Sequence, residues 1–133
     1  MMNKIEHIGI AVKDLQMASE IYSKLLGVSS YKKEEVKSEQ VITEFFKIGD
    51  SKIELLASLN QGSAIAKFIE KRGEGIHHIA FHVEDIYAEM QRLTNEGFIL
   101  LNDKPKVGAD NKLICFMHPK SANGVLVELC QDI

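Results

Sequence analysis

Apolar and polar residues alternate in two stretches of the chain, and each is followed by a helical spacing of apolar residues. The first covers residues 5–12, "IEHIGIAV", and the second covers residues 76–83, "IHHIAFHV". A period of two predicts a β-strand, and apolar residues every three to four positions predict an amphipathic helix. The helical stripes are Leu15, Ala18, Ile21, Tyr22, Leu25 and Leu26 in the first copy, and Ile86, Met90 and Leu93 in the second.

Both helices have polar or flexible residues at their expected ends. Asp14 and Asp85 precede the stripes, and a carboxylate there can accept hydrogen bonds from the unpaired amides of the first turn. Gly27 and Gly97 follow the stripes, where glycine tolerates the left-handed conformation that ends a helix. We therefore expect one helix after each of the two strands.

Three more strands complete each half of the chain. They are predicted at residues 28–36, 41–48 and 52–57, with a turn at "GDS" (49–51), and at 98–101, 112–117 and 125–130. An amphipathic linker helix is predicted over residues 63–72. The expected organisation is one domain, 1–133, with a βαβββ module over about 4–58, the linker within about 62–73, and a second module over about 75–131.

The two halves are copies of one plan. His7 falls on His78, 71 residues later, and "KIELLA" aligns with "VLVELC", so that Glu54 falls on Glu128. A four-stranded sheet covered by one helix leaves its second face bare. The predicted fold class is α+β, with two tandem βαβββ modules forming a curved mixed sheet around a metal-binding cleft.

Composition excludes several classes of protein. The chain has 133 residues, a net charge of −3 and no block rich in lysine and arginine, which argues against nucleic-acid binding. No apolar run reaches the roughly 20 residues that span a bilayer, and the N-terminus lacks a signal-peptide core. Two cysteines do not make a disulfide framework, so we expect a cytoplasmic protein with Cys115 and Cys130 as small core residues.

Four residues in two equivalent pairs indicate a metal site. The predicted symmetry brings together His7, His78, Glu54 and Glu128, which offer nitrogen and oxygen ligands to a divalent ion. The expected ion is Co²⁺, with Mn²⁺, Ni²⁺, Fe²⁺ or Zn²⁺ as alternatives. A histidine or glutamate alone on a strand is usually a core, rim or solvated residue. Because these four residues occur as two repeat-equivalent pairs, the metal site is favoured over that interpretation.

Three further residues are less decisive. His77 aligns with Glu6 and is expected near the ligands or at the surface, whereas His82 is expected to line the cavity. Glu44 shares a strand face with Ile42 and Phe46. If that face is turned inward, burial would raise the pKa of Glu44 and make it an acid or base. If the face is turned outward, Glu44 is in water, and periodicity alone does not decide.

These residues resemble the vicinal-oxygen-chelate superfamily and, within it, the methylmalonyl-CoA epimerase family. The resemblance covers nearly the whole chain and rests on "GIHHIAFHVEDI" (75–86), "LLNDKPKVGADN" (100–111) and "FMHPKSANGVLVEL" (116–129). Family members also carry glutamine at the position of Glu54, so the carboxylate here is a modest departure. It makes the predicted site more anionic, as in bacterial glyoxalase I.

The resemblance implies interconversion of (2R)- and (2S)-methylmalonyl-CoA through a metal-stabilised enolate. It implies Glu44 and Glu128 as the acid/base groups, one for each face of the enolate, and turnover should then be lost in Glu44→Gln. Lys104, Lys106 and Lys120 are the expected contacts to the phosphates of the acyl-CoA substrate. No membrane or nucleic-acid partner is expected, and relatives suggest a homodimer.

Three other functions share parts of this pattern. Glyoxalase I uses a similar set of four ligands. An extradiol dioxygenase uses iron(II) on two histidines and one carboxylate, which would leave Glu54 unused. A metal-free binding module could keep the fold without the chemistry. Glu44 and the "FMHPKS" loop favour the epimerase.

Overall fold

The computed structural model describes all residues from 1 to 133. Its elements follow the order βαβββ, helix, βαβββ, which confirms the α+β class and the two tandem modules. The elements are β1 (Met2–Ala11), α1 (Leu15–Leu26), β2 (Lys32–Val36), β3 (Val41–Ile48), β4 (Ser51–Ser58), α2 (Ala64–Arg72), β5 (Gly75–Val83), α3 (Ile86–Asn95), β6 (Lys106–Gly108), β7 (Lys112–Met117), a short 3₁₀ helix (Pro119–Ala122) and β8 (Val127–Asp132).

The helix ends follow the local chemistry. The Asp14 carboxylate accepts a hydrogen bond from the Met17 amide at 3.0 Å, and the Asp85 carboxylate accepts one from the Ala88 amide at 3.1 Å. Gly27 ends α1 with φ of 72°, a conformation in which a residue with a Cβ is strained. The predicted starts of both helices and the predicted end of α1 are therefore confirmed. Helix α3 ends one residue earlier than expected, with Glu96 as its cap, and Gly97 follows with φ of 94°.

By its internal contacts, the chain divides into two compact units. The first unit is His7–His77, and the second unit is Met1–Glu6 together with His78–Ile133. The first half of β1 thus belongs with the second module. There Met2 packs against the core beside α3, and Asn3 Oδ1 lies 2.7 Å from His82 Nδ1.

The first unit contains the strands in the order β2, β3, β4, β1. β1 runs parallel to β4, and the other neighbours are antiparallel. Helix α1 covers one face, where the buried core is Val12, Ala18, Phe46, Leu55 and Ala57. Helix α2 packs against part of the other face, with the core residues Ala11, Val41, Leu56 and Ile65.

The second unit repeats this pattern with the order β5, β8, β7, β6 and a parallel pairing of β5 with β8. Helix α3 covers one face, and the core there includes Val83, Ile86, Met90, Leu93, Cys115 and Leu129. The opposite face carries a smaller cluster of Ala80, Ile114 and Cys130. Both cysteines are buried and form no disulfide. No helix has the length and apolar character to cross a membrane.

The edge of the second sheet differs from the prediction of a strand at 98–101. Leu100 makes a single bridge to Met117, and the edge strand β6 lies at Lys106–Gly108. Between these two segments, the side-chain oxygen of Asn102 accepts the hydrogen bond of the Phe116 amide at 2.9 Å. The Leu101 amide and the Ile99 carbonyl still bond to the backbone of Phe116 and His118. The backbone pairing ends at Asn102, whose side chain takes the Phe116 amide, and Pro105 has no amide to donate. In the first unit, β2 begins only at Lys32 rather than at residue 28.

Helix α3 contains a carboxylate that is buried beside an arginine. Glu89 is 2% exposed, and Arg92 donates two hydrogen bonds to it at 2.6 and 3.3 Å. These hydrogen bonds hold the pKa of Glu89 below its usual value, against the opposing effect of burial. Because the pKa of Glu89 is lower in the folded than in the unfolded state, the Glu89–Arg92 pair stabilises the fold. This stabilisation is fully present above the unfolded pKa of glutamate, about 4.3, and is lost as the pH falls through the folded pKa.

We predict that Glu89→Gln lowers the urea midpoint of unfolding at pH 7, and that the difference from the unsubstituted protein narrows below about pH 4. Urea titrations at pH 7 and pH 3.5 measure both effects. Glu84→Gln, at an exposed position before α3, is the matched control and should change neither midpoint. If Glu89→Gln lowers the urea midpoint by the same amount at both pH values, the charged Glu89–Arg92 pair is not the source of the stability.

Candidate functional site

A buried histidine and a buried glutamate form an ion-pair contact in the first unit. Glu54 on β4 is paired with Gly9 on β1, and His7 lies two residues before Gly9, so both side chains share one face. His7 Nε2 lies 3.3 Å from Glu54 Oε1. Both residues are 5% exposed, which is uncommon for a glutamate without a compensating partner.

The second unit contains the equivalent contact. Glu128 on β8 is paired with Ala80 on β5, and His78 lies two residues before Ala80. His78 Nε2 lies 3.0 Å from Glu128 Oε1, and both side chains are buried. The offset between histidine and glutamate in the parallel register is the same in both units. Each unit therefore contains one histidine–glutamate pair, and the two pairs occupy the equivalent positions that the repeat predicts.

Each pair is accompanied by a phenylalanine that the sequence did not reveal. Phe45 on β3 is opposite Glu54, and Phe116 on β7 is opposite Glu128. Their rings stand edge-on to the imidazoles, with centroid distances of 6.5 Å to His7 and 5.9 Å to His78 and interplanar angles of 85°. These contacts restrict the imidazole planes. The signal lay in the repeat, since Phe116 follows Phe45 by the same 71 residues that separate the histidines.

The donor atoms of the two pairs suit a divalent metal ion. Each unit offers an imidazole nitrogen and a carboxylate oxygen, ligands that borderline and hard divalent ions accept. At Glu128, the two oxygens have different neighbours, since Oε1 faces His78 and Oε2 accepts a hydrogen bond from the Cys130 thiol at 3.4 Å.

Glu44 lies on the other side of the first sheet. It is opposite Leu55, whereas its neighbour Phe45 is opposite Glu54, so the two side chains point to different faces. Glu44 is 5% exposed, and its Oε2 accepts hydrogen bonds from Ser19 of α1 at 2.9 Å and from Ser30 at 2.6 Å. Its carboxylate faces α1 instead of the His7–Glu54 pair. This position does not support the expected role of Glu44 as an acid or base beside the ligands.

The other histidines are held by different contacts. His77 lies edge-on to Phe68 of α2, with a centroid distance of 4.9 Å. His82 lies on the same face as His78, and its Nε2 is 3.3 Å from Asp132 Oδ2. Asp132 also pairs with Lys112 Nζ at 2.6 Å, and that hydrogen bond is the main cause of the lowered pKa of Asp132. Sequence reasoning missed this network because its members are far apart along the chain.

The three lysines expected to meet phosphates are exposed residues of the second unit. Lys106 is paired with Ile114, which is in turn paired with Cys130, so Lys106 lies on the face that carries Glu128. Lys104 lies in the loop before β6. Lys120 lies in the 3₁₀ helix, where its backbone amide donates to His118 Nδ1 at 3.1 Å.

Two βαβββ modules, each with a buried histidine–glutamate pair in the same register, define a protein of the vicinal-oxygen-chelate class. The chain belongs to the Glyoxalase/Bleomycin resistance protein/Dioxygenase superfamily, whose family model matches residues 6–116.

Several relatives are epimerases. The chain is 42% identical over 133 residues to the ethylmalonyl-CoA/methylmalonyl-CoA epimerase of Cereibacter sphaeroides, covering 98% of this chain and 99% of that protein. It is 36% identical to the human mitochondrial methylmalonyl-CoA epimerase, covering 98% and 74%. A Streptomyces coelicolor methylmalonyl-CoA epimerase variant, solved in complex with 2-nitronate-propionyl-CoA, has a TM-score of 0.96 at 35% identity, with coverages of 99% and 96%. A probable lactoylglutathione lyase of Vibrio cholerae is more distant, at 27% identity over 98% of this chain and 91% of that protein.

We predict that replacing the histidine of either pair by alanine weakens the binding of a divalent ion. The loss should exceed the roughly 10–100-fold that removal of an outer hydrogen-bond partner costs, because a ligand nitrogen is lost outright. Titration of Co²⁺ into chelator-treated protein measures the affinity. Glu44→Gln is the matched control and should bind as tightly as the unsubstituted chain. Unchanged affinity in both histidine variants would remove the pairs from metal binding.

Proposed function

We propose that the chain is a metal-dependent methylmalonyl-CoA epimerase that removes and returns the proton at C2 of the (2R) and (2S) substrates. The observation that carries this proposal is the pair of buried His–Glu contacts in equivalent registers, in a chain 42% identical to an ethylmalonyl-CoA/methylmalonyl-CoA epimerase. The activity of the relatives supports the substrate, and the donor atoms support the chemistry.

One divalent ion, held by His7, Glu54, His78 and Glu128, is part of the proposal. Neither unit offers more than two of these ligands, so the whole of residues 1–133 is taken as one functional domain. When bound, the ion supplies Lewis-acid stabilisation of the negative charge that forms on the thioester oxygen. We assign Co²⁺ as the first choice, followed by Mn²⁺, Ni²⁺ and Zn²⁺.

The protons are moved by the chain's own carboxylates. The C2 proton lies between a thioester and a carboxylate, and its removal leaves a planar enolate that must be protonated on the opposite face for inversion. Glu128 is the group for one face. Glu54 replaces Glu44 as the group for the other face, because Glu44 faces α1 and Glu54 is the buried repeat equivalent of Glu128.

The CoA moiety needs cationic contacts, and Lys104, Lys106 and Lys120 remain our candidates for its phosphates. Lys106 is the strongest of the three, because it shares a sheet face with Glu128. A homodimer and a cytoplasmic location complete the proposal, and two buried cysteines that form no disulfide agree with a reducing compartment. Light scattering of the purified protein tests the dimer.

Glyoxalase I is the second candidate, because a carboxylate at Glu54 gives two histidines and two glutamates, as in its bacterial forms. Glyoxalase I is also called lactoylglutathione lyase, and the probable lactoylglutathione lyase of Vibrio cholerae is more distant from this chain than the epimerases. Both reactions remove a proton beside a carbonyl group. The two functions are therefore separated by substrate and not by the ligand set.

We predict that the Co²⁺-loaded protein incorporates deuterium from D₂O at C2 of methylmalonyl-CoA and interconverts its enantiomers. The same preparation should be inactive with glutathione and methylglyoxal. Mass spectrometry and chiral analysis follow the first reaction, and ultraviolet absorbance follows the second. Activity with the glutathione adduct alone would replace the epimerase by glyoxalase I, and inactivity in both assays would reject both enzymes.

The roles of the carboxylates give a stereochemical prediction. Glu54→Gln and Glu128→Gln should each lower epimerisation by about 100-fold or more, while each still exchanges the C2 proton of one enantiomer without inverting it. The exchangeable enantiomer should differ between the two variants. Glu44→Gln should keep turnover within about threefold. Inversion at a normal rate by Glu54→Gln would exclude Glu54, and a collapse in Glu44→Gln would return Glu44 to the mechanism.

A further inference from the structure

We propose that the thiol of Cys130 positions the carboxylate of Glu128 for proton transfer. This inference rests on the proposed function, since it concerns one of its two acid/base groups. Cys130 lies two residues after Glu128 on β8, so the two side chains share a sheet face. The thiol donates to Glu128 Oε2 across 3.4 Å, within the buried part of the second unit.

The hydrogen bond distinguishes the two oxygens of Glu128. Oε1 lies 3.0 Å from His78 Nε2, whereas Oε2 is the acceptor of the thiol. A carboxylate rotates easily about its last torsion angle. One partner at each oxygen limits this rotation, so that the same oxygen remains directed at the histidine while the other keeps a fixed direction. Cys130 is thus a positioning residue and does not itself exchange a proton with the substrate.

The thiol is itself held in place by packing. Cys130 is fully buried and belongs to a cluster with Ala80 and Ile114, against which Phe116 packs. Phe116 also lies edge-on to His78. Phe116 therefore contacts both the cluster that holds the thiol and the imidazole of the His78–Glu128 pair, so the thiol and the pair share one packed surrounding.

The first unit lacks this donor on its own strand. The position two residues after Glu54 is Leu56, a buried residue of the α2-facing core, and leucine has no hydrogen to donate. The repeat is therefore broken at this position. The proposal predicts that loss of the thiol affects the proton transfer served by Glu128 and spares the one served by Glu54.

The test uses Cys130→Ala, Cys130→Ser and Cys115→Ala in the full chain. Alanine and serine leave a similar volume at position 130, but only serine restores a donor. Cys115 is the other buried thiol of this unit, and it lies in the core beside α3 with its Sγ directed at the Asn102 carbonyl oxygen. Its alanine variant controls for the loss of a buried sulfur.

We expect Cys130→Ala to slow deuterium exchange by about 3–10-fold for the enantiomer that Glu128 serves, as loss of a modest hydrogen bond implies. That enantiomer is the one whose exchange Glu128→Gln abolishes. Exchange of the other enantiomer, measured at saturating Co²⁺, should remain normal. The second readout needs no turnover: Co²⁺ affinity should fall by roughly 10-fold in Cys130→Ala. Cys130→Ser should approach the unsubstituted protein in both readouts, and Cys115→Ala should match it.

Two results would overturn the positioning role. In the first, Cys130→Ala has the same exchange rates and Co²⁺ affinity as Cys115→Ala. In the second, Cys130→Ser loses as much exchange and affinity as Cys130→Ala, which would show that the lost volume and not the lost donor is the cause. If the variants show the expected pattern of Co²⁺ affinities but the unsubstituted protein exchanges no proton of methylmalonyl-CoA, the proposed function is rejected. Cys130 then positions Glu128 for metal binding alone. Thermal unfolding of each variant shows that the comparison is made on folded protein.

Discussion

The burial of two glutamates beside two histidines is the constraint on which the candidate site depends. A buried carboxylate is costly unless a partner compensates for its lost hydration. In each unit that partner is an imidazole on the neighbouring parallel strand, at 3.3 Å for Glu54 and 3.0 Å for Glu128. The parallel pairing of the first and last strands of each βαβββ module is therefore the feature that brings histidine and glutamate together.

The two faces of each sheet carry different groups of residues. One face packs against α1 or α3 and supplies the larger core, and the other carries the His–Glu pairs. A single step along β3 moves a side chain from one face to the other, so Phe45 adjoins the His7–Glu54 pair whereas Glu44 is hydrogen-bonded to Ser19 of α1. Glu44 is therefore a buried carboxylate that packs on the helix side of the sheet, although glutamate is a residue type that can act as an acid or base.

Periodicity and the internal repeat predicted both modules, the helix caps and the four candidate ligands, because each of these features depends on local spacing. They did not predict which face of β3 is turned toward the His7–Glu54 pair, since a period of two assigns residues to faces without identifying the faces. The displaced edge strand depends on the Asn102 side chain, which takes the Phe116 amide. The grouping of Met1–Glu6 with the second unit depends on contacts with residues about 80 positions away.

The internal repeat explains why the two histidine–glutamate pairs have the same geometry. The positions at which the repeat differs give the two pairs different neighbours. Equivalent registers give each unit the same two donor atoms, and the proposed function assigns both pairs to one ion. Epimerisation has a further requirement, because the two proton transfers occur on opposite faces of a chiral substrate and do not meet equivalent surroundings. Cys130 and Leu56 occupy matching positions beside the two glutamates, and only the thiol donates to its neighbour's carboxylate. The proposed function therefore combines symmetry in the candidate ligands with asymmetry in the residues that support them, and the asymmetry assigns different surroundings to the two proton transfers.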